Sequence, residues 1–217
     1  EDAGSTPVTA TLNALSGRDV TITLNKTGTA IDVKDYVLSD AKIVILEGTL
    51  EASVTLDAVS DPLNEDNETI ILDIVGIVNG AELGGTQQQT ITIRDDDPFP
   101  VITLSVGAAS IDEDAPATTT TVVVALNPPA GRNVVVTLGK SGVATEGADY
   151  TLNSVITILA GDLAATATLV AITDPLNEAN ETVIIDIISV TNGKESGTQT
   201  QTVTITDDDP LATVVLS

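Results

Sequence analysis

Thr90-Ile91-Thr92-Ile93-Arg94-Asp95-Asp96-Asp97-Pro98 recurs 112 residues on, from 90 to 202, as Thr202-Val203-Thr204-Ile205-Thr206-Asp207-Asp208-Asp209-Pro210. In each copy threonine alternates with a β-branched aliphatic, the period-two pattern of a strand with one wet face. The alternation then runs into three adjacent carboxylates and a proline. The ring of Pro98 or Pro210 removes a ladder donor and helps to stop the strand there. Neighbouring carboxylates repel by roughly 4 kcal/mol per close pair at an effective dielectric of about 20. Such a cluster requires water or a cation around it. We read both triplets as cation-liganding hinges between repeated β units.

Other segments repeat in the same order. Asp61-Pro62-Leu63-Asn64-Glu65 returns as Asp174-Pro175-Leu176-Asn177-Glu178, Asp35-Tyr36 as Asp149-Tyr150, and Glu1-Asp2-Ala3 as Glu113-Asp114-Ala115. The offset drifts by a residue or two, as insertions in surface loops produce. In the second repeat the alternation predicts strands over 101–106, 119–126, 133–138, 154–159, 164–172, 182–189 and 200–206. The intervening turns carry Pro, Gly, Asn and Asp. This density of short strands, with no sustained helical period, suits an immunoglobulin-like sandwich. The expected fold is all-β: two tandem seven-stranded antiparallel sandwiches, one over 1–97 and one over 98–210. The first repeat has no counterpart of 101–106 and so lacks its opening strand. Residues 211–217 have the pattern of the opening strand of a following repeat, or of a strand donated to a neighbour.

Composition narrows the function. The net charge of −24 disfavours nucleic acid and anionic membrane surfaces and favours cations. With no Cys and no His, thiolate sites, imidazole–zinc sites and His-based catalysis are excluded. Tyr36, Phe99 and Tyr150 are the only aromatics, which leaves no stacking platform for sugar and argues against an enzyme or lectin. No apolar run is long enough to span a membrane as a helix. The absence of Met predicts a processed or excerpted chain, and with the absence of Cys it fits an exposed, oxidising setting, extracellular or at the cell surface.

The stretch from Gly142 through Gly147-Ala148-Asp149-Tyr150, the loop Asp174…Glu178…Glu181 and the terminator 207–209 together resemble the Calx-β family. The first repeat carries Asp35-Tyr36, Asp61…Glu65…Glu68 and 95–97 in the same order. The resemblance implies a seven-stranded sandwich that binds Ca2+ in loops at one end. It implies ligands Glu1, Asp35, Asp61, the Leu63 carbonyl, Glu65, Asp95, Asp96 and Asp97 in the first repeat. In the second it implies Glu113, Asp149, Asp174, the Leu176 carbonyl, Glu178, Asp207, Asp208 and Asp209. Where the strongest binders of the family place two acids, this chain has Ser60-Asp61 and Thr173-Asp174, which implies one or two ions per repeat. Calcium takes six to eight oxygens at about 2.3–2.6 Å with flexible geometry, a demand that acids converging from several loops can meet.

Other residues have structural readings. Tyr36 and Tyr150 are expected as buried rings. Asn64 and Asn177 are expected to cap turns through their side chains. Asn25, Asn67 and Asn180 each open a glycosylation acceptor triplet. Asp73 and Asp186 are expected to point outward from their strands. The leading functional expectation is a calcium-binding structural repeat of an extracellular filament or adhesin. Calcium would rigidify the hinge, and copies would join head to tail, with 211–217 as a donor strand. The alternative is a calcium-sensing regulatory module of a larger membrane protein.

Overall fold

The computed structural model describes residues 4–85, 87–114 and 118–216. The chain divides into two compact units, Glu1–Asp97 and Pro98–Ser217.

Unit 1 contains β1 (Ser5–Thr11), β2 (Val20–Gly28), β3 (Tyr36–Leu38), β4 (Lys42–Ile45), β5 (Glu51–Ala58), β6 (Glu68–Val78) and β7 (Gln88–Ile93). They form a three-stranded sheet, β1-β5-β3, and a four-stranded sheet, β4-β2-β6-β7. All of these pairings are antiparallel. Alternation decides which face is inward: in β4, Ile43 and Ile45 are buried while Lys42 and Val44 are exposed.

Unit 2 contains β8 (Val101–Val106), β9 (Ser110–Asp112), β10 (Thr119–Asn127), β11 (Val134–Gly142), β12 (Tyr150–Leu152), β13 (Val155–Ile158), β14 (Ala164–Ala171), β15 (Glu181–Thr191), β16 (Lys194–Glu195) and β17 (Thr200–Thr206). Its sheets run β12-β14-β10-β8-β16 and β13-β11-β15-β17-β9. The short strands β9, β12 and β16 add to the seven expected, because two or three residues are too few to show a period. β9 and β16 pair parallel with β17 and β8. β11 runs past Leu138 through a register shift between Thr137 and Leu138, which resets the alternation that sequence reading follows.

The cores of the two units differ. In unit 2 the buried aliphatics, from Ile102 and Leu104 to Val203 and Ile205, form one continuous cluster. In unit 1 they fall into two smaller clusters. One surrounds Val20, Ile22, Ile43, Ile45 and Val54, and the other Tyr36, Leu56, Ile70, Leu72 and Ile93. The place taken in unit 2 by β8 is uncovered in unit 1: among the described residues no strand pairs with the outer edge of β1. Residues 211–216 join no sheet, and Leu211, Val214, Val215 and Leu216 are exposed. An isolated segment with no edge to pair with gains no ladder hydrogen bonds.

Candidate metal centre

Each site begins at a glycine. Gly28 and Gly142 end β2 and β11 with φ of 121° and 117°, and a Cβ on either would stand 2.1 Å from the carbonyl oxygen of Thr69 or Thr182. Only glycine permits that approach. The following amides then dock on the same carbonyl: Thr29 and Ala30 on Thr69, at 2.9 and 3.1 Å, and Val143 and Ala144 on Thr182, at 3.0 and 3.1 Å. This docking brings the next loop beside Glu68 and Glu181, the first residues of β6 and β15. The loop closes on its own aspartate. Asp35 Oδ2 accepts from the Ile31 N–H at 2.5 Å and Asp149 Oδ2 from the Thr145 N–H at 2.6 Å.

In unit 1 this places Asp35, Glu65 and Glu68 together, with one carboxylate oxygen of each within 4.8 Å of the others. Asp35 is buried and Glu65 and Glu68 are half-buried. Burial opposes ionisation of Asp35. The Ile31 N–H, a hydrogen bond with Glu68 and the Lys34 ammonium outweigh it and hold Asp35 below its usual range. Glu68 bears the consequence. Burial first, then the hydrogen bond and charge of Asp35 and the charge of Glu65, push it up to about 7. Among the described residues Glu68 Oε2 is buried with no hydrogen-bond partner, a state that native proteins rarely leave uncompensated. The Lys34 Nζ lies 3.2 Å from Asp35 Oδ1 and 3.5 Å from Glu65 Oε1, so unit 1 carries an ammonium at the rim of its own acidic group.

The loop before β6 fastens the aspartate triplet. Asp61 Oδ1 accepts from the Leu63 N–H at 2.8 Å, closing a tight turn that contains the Leu63 carbonyl. Buried Asn64 donates from Nδ2 to Asp95 Oδ2 and to the Asp97 carbonyl, both at 2.8 Å. The Glu65 N–H donates to Asp95 Oδ1 at 2.9 Å, and the Asp95 N–H donates to Asn67 Oδ1 at 3.0 Å. Both carboxylate oxygens of Asp95 are therefore engaged by protein amides. Asp61, Asp95, Asp96 and Asp97 lie outside the close group of three. Glu1 lies outside the described residues.

Unit 2 repeats the scaffold, but among the described residues its matching acids, Asp149, Glu178 and Glu181, form no group as close as that of unit 1. Leu176 N–H donates to Asp174 Oδ1, Asn177 Nδ2 to Asp207 Oδ2 and the Asp209 carbonyl, and Glu178 N–H to Asp207 Oδ1, at 2.8–3.1 Å. The Asp207 N–H donates to Asn180 Oδ1 at 3.2 Å. Asp208 Oδ1 accepts from the Asp114 N–H at 3.3 Å. Buried Glu113 adds a carboxylate whose Oε1 accepts from the Asp174 N–H at 3.2 Å. Burial, outweighing that amide, raises Glu113, and the charges of Asp174, Asp207 and Glu178 add to the rise. Glu181 matches Glu68: burial, a hydrogen bond with Asp149 and the surrounding charges push it up to about 7. Ala148 stands where unit 1 has Lys34.

Two of the sequence expectations change. The turn-closing side chains are Asp61 and Asp174, whereas Asn64 and Asn177 reach across to the triplets. The acceptor asparagines Asn67 and Asn180 have their carboxamide oxygens engaged by Asp95 and Asp207. Glu68 and Glu181 stand in the sequence motifs but not in the expected ligand set. Their signal was present: both end the repeated Asn-Glu-x-Asn-Glu run at the same offset as the Asp61 and Asp174 loops.

Chemically, the group offers only hard carboxylate oxygens, one of them a buried orphan. Three things can neutralise it: a proton on Glu68, the Lys34 ammonium, or an oxygen-seeking cation such as Ca2+. The residues present fit such a cation.

The Calx-beta domain family model matches residues 1–97 and again 95–209. No curated protein matches the chain. Among solved structures, CBD12 from CALX1.2 is similar at 14% identity over 94% of each chain, with a TM-score of 0.41. The apo-form Calx CBD1 domain is similar at 20% identity over 52% of this chain and 100% of its own, with a TM-score of 0.44. The calcium binding domain CBD12 of CALX1.1 is similar at 17% identity over 85% of this chain and 74% of its own, with a TM-score of 0.41. With two consecutive matches covering nearly its whole length, the chain belongs to the Calx-beta domain family.

Proposed function

We propose that the chain is a calcium-binding, non-catalytic structural repeat of an extracellular filament or adhesin. The observation that carries this reading is the convergence of Asp35, Glu65 and Glu68 with a buried, unpartnered Glu68 oxygen. In unit 1 these three would hold the ion. In unit 2 Asp149, Glu178 and Glu181 would do so, with Glu113 and Asp174 beside them. The outer acids of each triplet, Asp96 and Asp97 or Asp208 and Asp209, are candidates to complete the shell. Asp95 and Asp207 mainly hold the loops in place. When bound, the ion would supply the positive charge that keeps the loops at this end of each sandwich closed.

Only Pro98, Phe99 and Pro100 separate Asp97 from β8. A cation fixing the loops next to so short a connection would stiffen the chain, and successive copies would join head to tail. The uniform tandem repeat and the high negative charge support an extracellular structural role. Calorimetric titration of the full chain with Ca2+ tests the reading. Saturable binding with a midpoint near 10⁻⁴–10⁻³ M, typical of extracellular modules, supports it. A micromolar midpoint would favour a sensing module instead, and no binding at 10⁻² M, an order of magnitude above that range, would remove the calcium reading altogether.

A further inference from the structure

We propose that unit 1 receives a β-strand from a second copy of this chain. Residues 210–216 of that copy would lie antiparallel along the free edge of β1, with Leu216 opposite Ala10 and Val214 opposite Leu12. This gives the head-to-tail contact of the proposed filament a definite register, and it does not require that calcium be bound.

The receiving surface is a cleft of about 560 Å3 between the two sheets of unit 1. Val8, Ala10 and Leu12 line one side, and Ile22, Leu72 and Ile74 line the other. In unit 2 the corresponding space is filled by β8, which pairs with β10 as Val106 with Val122, Leu104 with Val124 and Ile102 with Leu126. Ile102 and Leu104 are there 0% and 3% exposed. The two units can be aligned through their inner pairings. Val8 faces Val54 on β5 as Val122 faces Ala167 on β14, and Ala58 and Ala171 lie opposite the buried Tyr36 and Tyr150. Val8, Ala10 and Leu12 thus hold the places of Val122, Val124 and Leu126.

The donor matches. Residues 210–216 follow the second aspartate triplet as 98–104 follow the first, so Val214 and Leu216 hold the places of Ile102 and Leu104. In this chain they are 92% and 97% exposed, whereas their counterparts are buried in the unit 2 core.

The far wall of the cleft is prepared for a backbone as well as for side chains. In unit 2, Gln199 Oε1 accepts from the Leu104 N–H at 3.3 Å and Gln201 Nε2 donates to the Leu104 carbonyl at 3.2 Å. Gln87 and Gln89 hold the same positions before and within β7, and both line the cleft. Gln87 is already anchored. Its N–H donates to Glu82 Oε1 at 2.6 Å and its Nε2 to the Leu83 carbonyl at 2.9 Å, as Gln199 is anchored by Glu195 and Ser196. At Gly193 a Cβ would stand 3.2 Å from Ile102 Cδ1, and Gly80 lines the unit 1 cleft at the matching position. Apolar wall, polar clamp and glycine relief are all in place, and among the described residues the strand edge beside them is unpaired. Strand addition across such an edge is a known mode of recognition, and a head-to-tail contact of this kind need not close.

The test is sedimentation velocity on the full chain over a concentration series, with calcium and with chelator. We expect species heavier than the monomer that grow with concentration. The double variant Val214→Asp with Leu216→Asp should remain monomeric with an unchanged melting profile, because those side chains are solvent-exposed in their own chain. Under oxidation, Ala10→Cys combined with Leu216→Cys should give a cross-linked ladder, and Thr11→Cys with Leu216→Cys should not. A chain that stays monomeric throughout, a double aspartate variant that assembles equally well, or a ladder only from the slipped pair would each overturn the proposal. Assembly without calcium binding would sink only the calcium reading, and calcium binding without assembly only this one.

Discussion

Asn64 reaches 31 residues along the chain to donate from Nδ2 to Asp95 Oδ2 at 2.8 Å, and the same nitrogen also meets the Asp97 carbonyl. Asn64 is 3% exposed, so no water can take its place readily. Asn64→Ala should destabilise unit 1 by about 1.5–3 kcal/mol, the range for a lost hydrogen bond to a charged group, read from urea unfolding. Asn177→Ala, at the exposed counterpart, should cost about 1 kcal/mol. Equal losses in the two units would contradict the view that burial sets the difference.

Lys34 competes with any cation for Asp35 and Glu65. Removing it by Lys34→Ala should tighten Ca2+ binding in unit 1 by roughly fivefold, since a partly exposed ion pair contributes about 1 kcal/mol at most. The reciprocal change, Ala148→Lys, should weaken binding in unit 2. Calorimetry on both variants checks the pair, and unchanged affinities would show that the ammonium stands aside.

The two raised glutamates fix the pH response. Glu68 and Glu181 titrate near 7 in the folded chain, against an ordinary value of 4.5. Between those values the native state binds more protons than the unfolded one, so the slope of stability with pH is negative. The calcium-free protein should therefore have the full contribution of these groups below about pH 4.5 and lose it as pH rises through 7. Glu68→Gln with Glu181→Gln should flatten the loss. With calcium the trend should reverse, because the ion binds the deprotonated form and releases protons. Thermal melts across pH 4.5–8, spanning the ordinary carboxylate value and the raised one, with and without chelator, read both signs.

Val33 and Gly147 occupy the same place in the turn before the site aspartate, at φ of 70° and 86°. A β-branched residue is strained there. Val33→Gly should stabilise unit 1 by about 1 kcal/mol, and Gly147→Val should destabilise unit 2 by a similar amount. Differential scanning calorimetry of the two variants checks the exchange.

Much of this was readable from the sequence. Alternating threonine and aliphatic residues marked the long strands, and the repeated acids marked the loops that converge. The short strands β9, β12 and β16 were not legible, because a two- or three-residue pairing is dictated by the neighbour it touches rather than by its own pattern. The roles of Asn64 and Glu68 were hidden for a related reason. A turn-capping asparagine and one that braces a strand 31 residues away look alike in sequence. Burial moves Glu68 upward, helped by the hydrogen bond and charge of Asp35, while Lys34 opposes the shift, and the fold delivers both from another loop. Lys34 is a single unrepeated residue, so the repeat that exposed everything else could not expose it.

The interlocked aliphatics of unit 2 and the divided ones of unit 1 make two near-copies unlike as materials. While its cleft is unfilled, the divided sandwich should shear before its neighbour under tension, and a strand seated in the cleft should remove the difference. One fold thus supplies both a tough link and a yielding one, and the difference lies in whether a single row of side chains fills the gap between the sheets.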